Sequence, residues 1–421
     1  MAIGSETSGA NGDEHHIKFI QRSYDSADSK SALRLVLSIR PEWESADSNV
    51  DFAVNKRPGL TKEQIDSEAI LLRAYGHGTD LIIDRHRETQ NHELLMRHGL
   101  APELLARFEN GMMYRFIQGS VTHPADLRKP DIYRAVARRL AEWHAVVPCL
   151  PGRTGHSRRN SKVDGNPVET LGSSLDDAAF QLALDKIAPG KPPPNVWTVM
   201  QKWIFALPTD TEAQRARQAE LQQELKSLVS ELSQRPGLGE KGLVFAHCDL
   251  LSGNVIVLPD SQAATSTKTP STTVTFIDYE YATPSPAAFD LANHFAEWGG
   301  FDCDFSVLPT RVQRREFIAE YIESYFSLLE KKNTGAATTV DKAAEVEKLC
   351  DEVDHFRGVP GFYWGIWALI QATISEIEFD YASYAETRLG EYYAWKAEVS
   401  GERQQSGKEM PLRERRWAQE K

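Results

Sequence analysis

An α+β architecture in two lobes, a small strand-rich one and then a larger, mainly helical one, is what this sequence predicts. Three observations carry that expectation. Short apolar runs closed by Gly and turn residues crowd the first part of the chain, everything after Phe289 has helical spacing, and 114–119 reads as a hinge. The expected boundaries are a disordered N-terminus over 1–25, a first lobe over 26–118, a second over 119–400 and a charged tail over 401–421.

The elements follow in order. The opening MAIGSETSGANGDEHH is small, polar and acidic, with none of the apolar run that a secretory signal needs. Apolar residues at helical spacing over 31–39 predict a helix that Pro41 ends. EAILLRAYG, closed by Gly76, predicts a strand, and DLIIDRHRETQNHELLMRHGL opens on a short apolar run and turns helical through Leu100. Glu109, Asn110 and Gly111 divide two apolar runs and predict a hairpin turn. An amphipathic helix over 130–147 stops at Pro148. The Gly-, Ser- and Pro-rich stretch 151–195 reads as a long connection holding one helical piece at 175–187. A charged amphipathic helix over 211–234 ends before Pro236 and Gly237, and the low-complexity PDSQAATSTKTPSTT at 259–273 reads as an exposed hairpin loop between two strands. No internal repeat is present.

Composition narrows the function classes. A chain of 421 residues buries a sizeable core with ease. Its net charge of −12 argues against nucleic acid or an anionic membrane as principal partner and suits a cationic substrate. The four cysteines, Cys149, Cys248, Cys303 and Cys350, show no CxxC and no zinc spacing, so reduced thiols in a cytoplasmic protein are expected. The most apolar stretch, 362–374, is too short to span a bilayer and reads as a buried helix.

The chemistry concentrates in the octet HCDLLSGN, that is His247, Asp249 and Asn254 in the pattern His-x-Asp-x-x-x-x-Asn, and in Asp278 of TVTFIDYEYA. That spacing suits phosphoryl transfer: Asp249 can take a hydroxyl proton while Asn254, five residues on, faces a metal. Apolar runs on either side place both acids and the amide at the ends of short strands. Magnesium takes hard oxygen ligands and needs only one or two carboxylates beside phosphate oxygens, which Asn254 and Asp278 supply. A hairpin whose Asp and Asn merely cap turns would carry the same residue types; the whole octet together with DYE favours phosphoryl transfer. In the first lobe, Arg73 stands where a strand-borne cation would pair nucleotide phosphates, with Glu88 on the next helix as its expected partner. A surface Arg and a helical Glu that never meet fit the same spacing.

Taken together these segments resemble the choline/ethanolamine kinases, and the ethanolamine kinase branch most. The resemblance runs from about Arg57 to Tyr393 and rests on ILLRAYGHGTDLIIDRHRE, GLAPELLARFENGMMYRFI, FAHCDLLSGNVIV, FIDYEYATPSPAAFDLANHFAEW and FYWGIWALIQATISEIEFDY. It implies a protein-kinase-like fold and transfer of the ATP γ-phosphate to a small amino alcohol. By position, Asp249 becomes the catalytic base, Asn254 and Asp278 hold magnesium, and Arg73 contacts phosphate. Glu88 and the hinge residues Tyr114, Phe116 and Ile117 go to the nucleotide.

The resemblance also assigns the amino-alcohol pocket to Glu297, Trp364, Trp367 and Tyr384. A carboxylate with aromatic faces holds an ammonium group by Coulomb attraction and cation–π contact. Read from pattern alone, Trp364 and Trp367 equally fit plain core, and Glu297 beside Trp298 a helix-surface acid. Asp290 and His294, one turn apart, are expected to brace the catalytic loop. After AEW the chain runs GGFDCDF, with Asp302 and Asp304 and no tyrosine, which resembles ethanolamine kinases more than choline kinases. A primary ammonium carries three N–H donors that need oxygen acceptors.

Two departures stand out. No glycine lies between Ser38 and Gly59, so the Gly-rich nucleotide hairpin of the family is missing near 52–54, and RGVPGFYWG lacks the family's Ser-His pair. Two functions therefore remain: an ethanolamine kinase with ATP and ethanolamine as partners and a homodimer left open, or a relative without catalysis that binds through its second lobe. Choline is the alternative substrate.

Overall fold

A computed structural model of the chain describes residues 17–44, 61–76, 78–149, 187–259, 272–332 and 340–421. The chain divides into two compact units. The first comprises Met1–Gly76 and Pro102–Gln118, the second His77–Ala101 and Gly119–Lys421.

The first unit holds strand β1 (Lys18–Ile20), helix α1 (Ser31–Leu37), helix α2 (Lys62–Glu68) and strands β2 (Ile70–Ala74), β3 (Leu104–Phe108) and β4 (Gly111–Arg115), and its four strands form one sheet in the order β1-β3-β4-β2. β3 and β4 form the hairpin that Glu109, Asn110 and Gly111 predict. Gly111 is required sterically, since a Cβ there would overlap the Arg73 carbonyl and the Phe108 ring. β2 pairs antiparallel with β4, setting Arg73 opposite Met112. Thr61 and Gln64 close a capping box on α2. Ile20, Leu35, Val36, Ala106, Phe108 and Met113 form the core.

Disorder through residue 25 is corrected by β1, which pairs in parallel with β3 through Phe19 and Arg107. Its Ile20 is buried and its Phe19 exposed, an alternation too short to stand out from the polar residues around it. The site of the missing hairpin, 52–54, and the helical piece at 175–186 lie outside the described residues.

The second unit is mainly helical. Helix α3 (Arg85–Arg97), N-capped by Asp84, belongs here and not with the strands that precede it. The reason is polar: Arg85 donates to Glu280, Arg87 to Thr283, and Asn91 to the Ala282 carbonyl, all within five residues after Asp278. Then come β5 (Ser120–Val121), α4 (Pro130–Val146), α5 (Val196–Phe205) and α6 (Glu212–Leu232). Four buried strands follow, β6 (Val244–Ala246), β7 (Val255–Val257), β8 (Val274–Phe276) and β9 (Thr283–Ser285), in two small sheets, β5-β7-β8 and β6-β9. β7 and β8 pair antiparallel and flank the low-complexity stretch as expected. The helices α7 (Ala287–Ala296), α8 (Arg311–Lys332), α9 (Lys342–Phe356), α10 (Val359–Ile374), α11 (Tyr381–Val399), α12 (Glu402–Gln405) and α13 (Leu412–Ala418) complete the unit. Trp143, Trp197 and Trp203 lie fully inside its core.

The expected charged tail is a second correction. Arg413, Glu414 and Trp417 of α13 are all under 5% exposed. Trp417 stacks beneath the Arg314 guanidinium at 3.9 Å and donates to Asp354 at 2.7 Å. Charge there reads as solvated only until a buried partner for each charge is found. Among the described residues no helix is long and apolar enough to cross a membrane.

Candidate active site

The octet leaves β6, in the β6-β9 sheet, turns, and continues into β7, in the β5-β7-β8 sheet. Its shape is imposed by α7. Asp290 accepts the backbone N–H of His247 at 3.0 Å and of Cys248 at 2.8 Å, and its third partner is the His144 ring at 3.0 Å. His294, one turn on, bonds the Leu250 carbonyl at 2.8 Å, and Asn293 donates to the Cys248 carbonyl at 2.9 Å. Both braces expected of α7 are present. They hold Cys248 at φ 64°, a left-handed conformation that a non-glycine residue keeps only when its surroundings fix it. The Cys248 Sγ lies 3.4 Å from the Ser285 hydroxyl, fully buried.

Charge supports the clamp. Burial works to raise the Asp290 carboxyl, but the His144 hydrogen bond and the nearby imidazoles outweigh it, so Asp290 sits below its ordinary value. Burial lowers His294 to about 4, which keeps its ring neutral. The His247 ring links the loop to the second motif, bonding the Ile277 carbonyl at 3.1 Å through Nε2 and accepting the Asp249 N–H at 3.3 Å on Nδ1.

Asp249 and Asn254 meet. The Asn254 amide donates to the Asp249 carbonyl at 2.7 Å and to its carboxylate at 3.1 Å. Both amide protons are so directed, and the amide oxygen remains as a hard ligand atom. Asp278, also at positive φ (65°), follows β8, whose end is tied to the octet by the Ile277 N–H on the Asn254 carbonyl at 3.0 Å. Burial first, and then the negative charges of Asp278, Glu297 and Glu280, push the Asp249 carboxyl well above its usual range. An amide oxygen, a carboxylate and this concentration of negative charge fit a hard cation accompanied by phosphates. Among the described residues no group of three or more His, Cys, Asp or Glu could hold a metal alone.

Helix α10 brings Trp364 and Trp367 together edge to face at 5.5 Å. Their indole N–H groups are engaged, Trp364 donating to Asn293 at 2.8 Å and Trp367 to the Tyr281 hydroxyl at 2.8 Å. Trp364 is therefore more than plain core: through Asn293 it reaches the octet backbone. Tyr384, 8% exposed, stands on α11, with the Arg388 guanidinium 5.6 Å from its ring.

Glu297 is corrected in one respect. It is neither a surface acid nor a lone carboxylate, because Arg388 donates to it at 2.8 Å with both side chains buried. Burial raises its carboxyl above the ordinary value, against the pull of Arg388. Asp304 turns its carboxylate to the Ser306 N–H and hydroxyl, capping a short turn. Arg388, Tyr281, Asn293 and Glu280 were not singled out in the sequence. Glu280 is the last residue of the DYE motif and Tyr281 follows it, so both were within reach, whereas nothing near Arg388 in the chain points to Glu297.

Glu88, also in this unit, accepts from Arg85 at 2.9 Å, a partner unforeseen in the sequence. Arg73 and Tyr114, with the exposed Phe116 and with Ile117, belong to the first unit, where the Phe116 N–H bonds the Ala69 carbonyl at 3.1 Å.

Comparison with known proteins finds relatives over most of the chain. The chain is 31% identical over 387 residues to a protein of Nematostella vectensis named "Probable ethanolamine kinase", covering 90% of this chain and 96% of that one. It is 31% identical to "Ethanolamine kinase 1" of Homo sapiens, covering 88% and 72% of the two chains. Among solved structures, an ethanolamine kinase of Plasmodium vivax superposes with a TM-score of 0.55 at 24% identity, over 76% of this chain and 74% of that one, a likeness of fold. The family pattern described as choline/ethanolamine kinase matches residues 43–393, and the chain belongs to that family.

Proposed function

We propose that the chain transfers the γ-phosphoryl group of ATP to the hydroxyl of ethanolamine, giving phosphoethanolamine. The observation that carries this reading is the hydrogen-bonded Asp249–Asn254 pair, fixed by Asp290 and set among carboxylates, in a chain of this family. Asp249 orients the substrate hydroxyl and takes its proton as the oxygen attacks phosphorus in line. The raised Asp249 carboxyl becomes a usable base when the ammonium of the bound substrate brings positive charge beside it and lowers it again. The Asn254 amide oxygen and the Asp278 carboxylate would hold magnesium, which supplies charge neutralisation at the phosphate oxygens when bound. Arg73 serves the nucleotide phosphates, Glu88 steadies the nucleotide side, and Tyr114, Phe116 and Ile117 take the base.

Glu297, Tyr384, Trp364 and Trp367 make the amino-alcohol subsite. Because both indole N–H groups are engaged elsewhere, the rings offer π faces, each worth about 1–2 kcal/mol to a desolvated cation. The Glu297 carboxylate, with the Tyr281 and Tyr384 hydroxyls, offers the oxygen acceptors that a primary ammonium needs and a quaternary one does not. This favours ethanolamine over choline.

A second reading, a relative without catalysis, is favoured by the glycine-free stretch between Ser38 and Gly59. Phosphate transfer from Mg·ATP, with ethanolamine and choline side by side, separates the two. Turnover with a higher kcat/KM for ethanolamine is expected. A well-folded protein that turns over neither alcohol overturns the enzyme reading, and preference for choline overturns the substrate.

A further inference from the structure

Residues 394–421 lie beyond the stretch matched by the family pattern. They nevertheless end in a helix whose side chains reach, by alternating charges, the buried carboxylate of the amino-alcohol subsite. Glu297 meets Arg388 at 2.8 Å, Arg388 meets Glu391 at 3.4 Å, Glu391 meets Arg413 at 3.2 Å, and Arg413 meets Glu414 at 2.9 Å. None of these five residues is more than 5% exposed. The helix has a second hold on the same region, since the Trp417 ring packs against Phe295 at 6.4 Å, two residues before Glu297.

We infer that Arg413 is a positioning residue for the amino-alcohol subsite: by holding Glu391, it leaves Arg388 to Glu297. The inference rests on Glu297 belonging to that subsite. Arg388 lies between two carboxylates and can serve either. At present its nearer partner is Glu297, and its Nε makes no hydrogen bond among the described residues, so the guanidinium is not locked by a full set of bonds. A buried carboxylate stripped of its counter-ion recruits the nearest cation. With Arg413 gone, that cation for Glu391 is Arg388. Its departure from Glu297 would shift the carboxylate that receives the ammonium and the guanidinium that lies beside the Tyr384 ring. The C-terminal helix would thereby tune amino-alcohol recognition from outside the family's matched region.

The test uses the full chain and steady-state kinetics on both substrates. In R413M the KM for ethanolamine is expected to change by about tenfold, with kcat and the KM for ATP within about twofold. The double variant E391Q/R413M removes the competing carboxylate as well, and should bring the ethanolamine KM back towards wild type. R413K, which keeps the charge and loses the planar fork, should lie between and remains usable if R413M does not fold. An unchanged ethanolamine KM in R413M and R413K overturns the inference. So do both KM values rising together with a lowered Tm, or a double variant no better than the single one. Wild-type turnover judges the functional reading separately. If the wild type uses choline instead, the same comparison is made with choline. If it turns over neither, calorimetric titration of ethanolammonium chloride into wild type and R413M replaces the kinetics, and equal heats overturn the inference.

Discussion

Asp249 is 7% exposed and surrounded by like charges, so its ionisation opposes folding. Its folded value is raised above the ordinary 3.8. The stability it contributes is therefore present below that ordinary value and is lost as pH rises through the raised one. Asp249→Asn keeps the size and removes the charge. It should lower kcat by about 10²–10⁴-fold while raising Tm by about 2 °C or more at neutral pH. The Tm difference from wild type should widen as pH rises, which thermal melts across pH would show; retained transfer would remove Asp249 from the base role. Asp290 has the opposite sign. Its folded value is lowered, so its contribution is present above the ordinary value and disappears as pH falls through the folded one. Asp290→Ala strands two buried N–H groups and the His144 ring, and should cost about 3–5 kcal/mol, read by chemical denaturation.

Helices α10 and α11 approach closely because α10 carries glycine where α11 presses on it. A Cβ at Gly361 would lie 2.5 Å from the Arg388 carbonyl, and one at Gly365 2.6 Å from the Leu389 side chain. Gly361→Ala should therefore cost about 1–3 kcal/mol of stability, and should move the ethanolamine KM more than the ATP KM because it displaces Arg388. Trp364→Phe keeps an aromatic face but loses the bond to Asn293, which steadies the Cys248 carbonyl. Its expected signature is a fall in kcat beyond any rise in ethanolamine KM. These elements also show what could be read in the chain. The octet and the hairpin at Gly111 depend on neighbours within one turn or one strand, and their spacing declares them; Asp290 and His294 declare only that they share a helix face, since the backbone they hold lies 42 to 44 residues away. The Glu297–Arg388 pair spans separate helices. The α3 helix goes with the second unit through bonds to residues 280–283, and α13 is buried through partners at 314, 354, 357 and 391. No local periodicity encodes such partners, and a run of charges looks solvated until each opposite is known.

Across the whole molecule, the glycine-free stretch between Ser38 and Gly59 sets the nucleotide side against the intact octet. Inserting a Gly-rich hairpin after Phe52 should lower the KM for ATP by about tenfold or more and leave the ethanolamine KM nearly unchanged, as steady-state kinetics would report. A KM for ATP that does not move would show that phosphate binding never depended on that loop. The buried thiol of Cys248 gives the molecule one further property. Burial holds Cys149, Cys303 and Cys350 up at about 11 and raises Cys248 as well, so little of any of them is thiolate at neutral pH. Cys248 alone of the four is fully enclosed, beneath the backbone clamp of Asp290 and Asn293. Iodoacetamide can reach it only when the octet comes away from α7, so its alkylation, followed by mass spectrometry, is a clock for that opening. Substrates that bind only the closed form should slow the clock in proportion to their occupancy, turning a cysteine with no chemical role into a gauge of ligand binding.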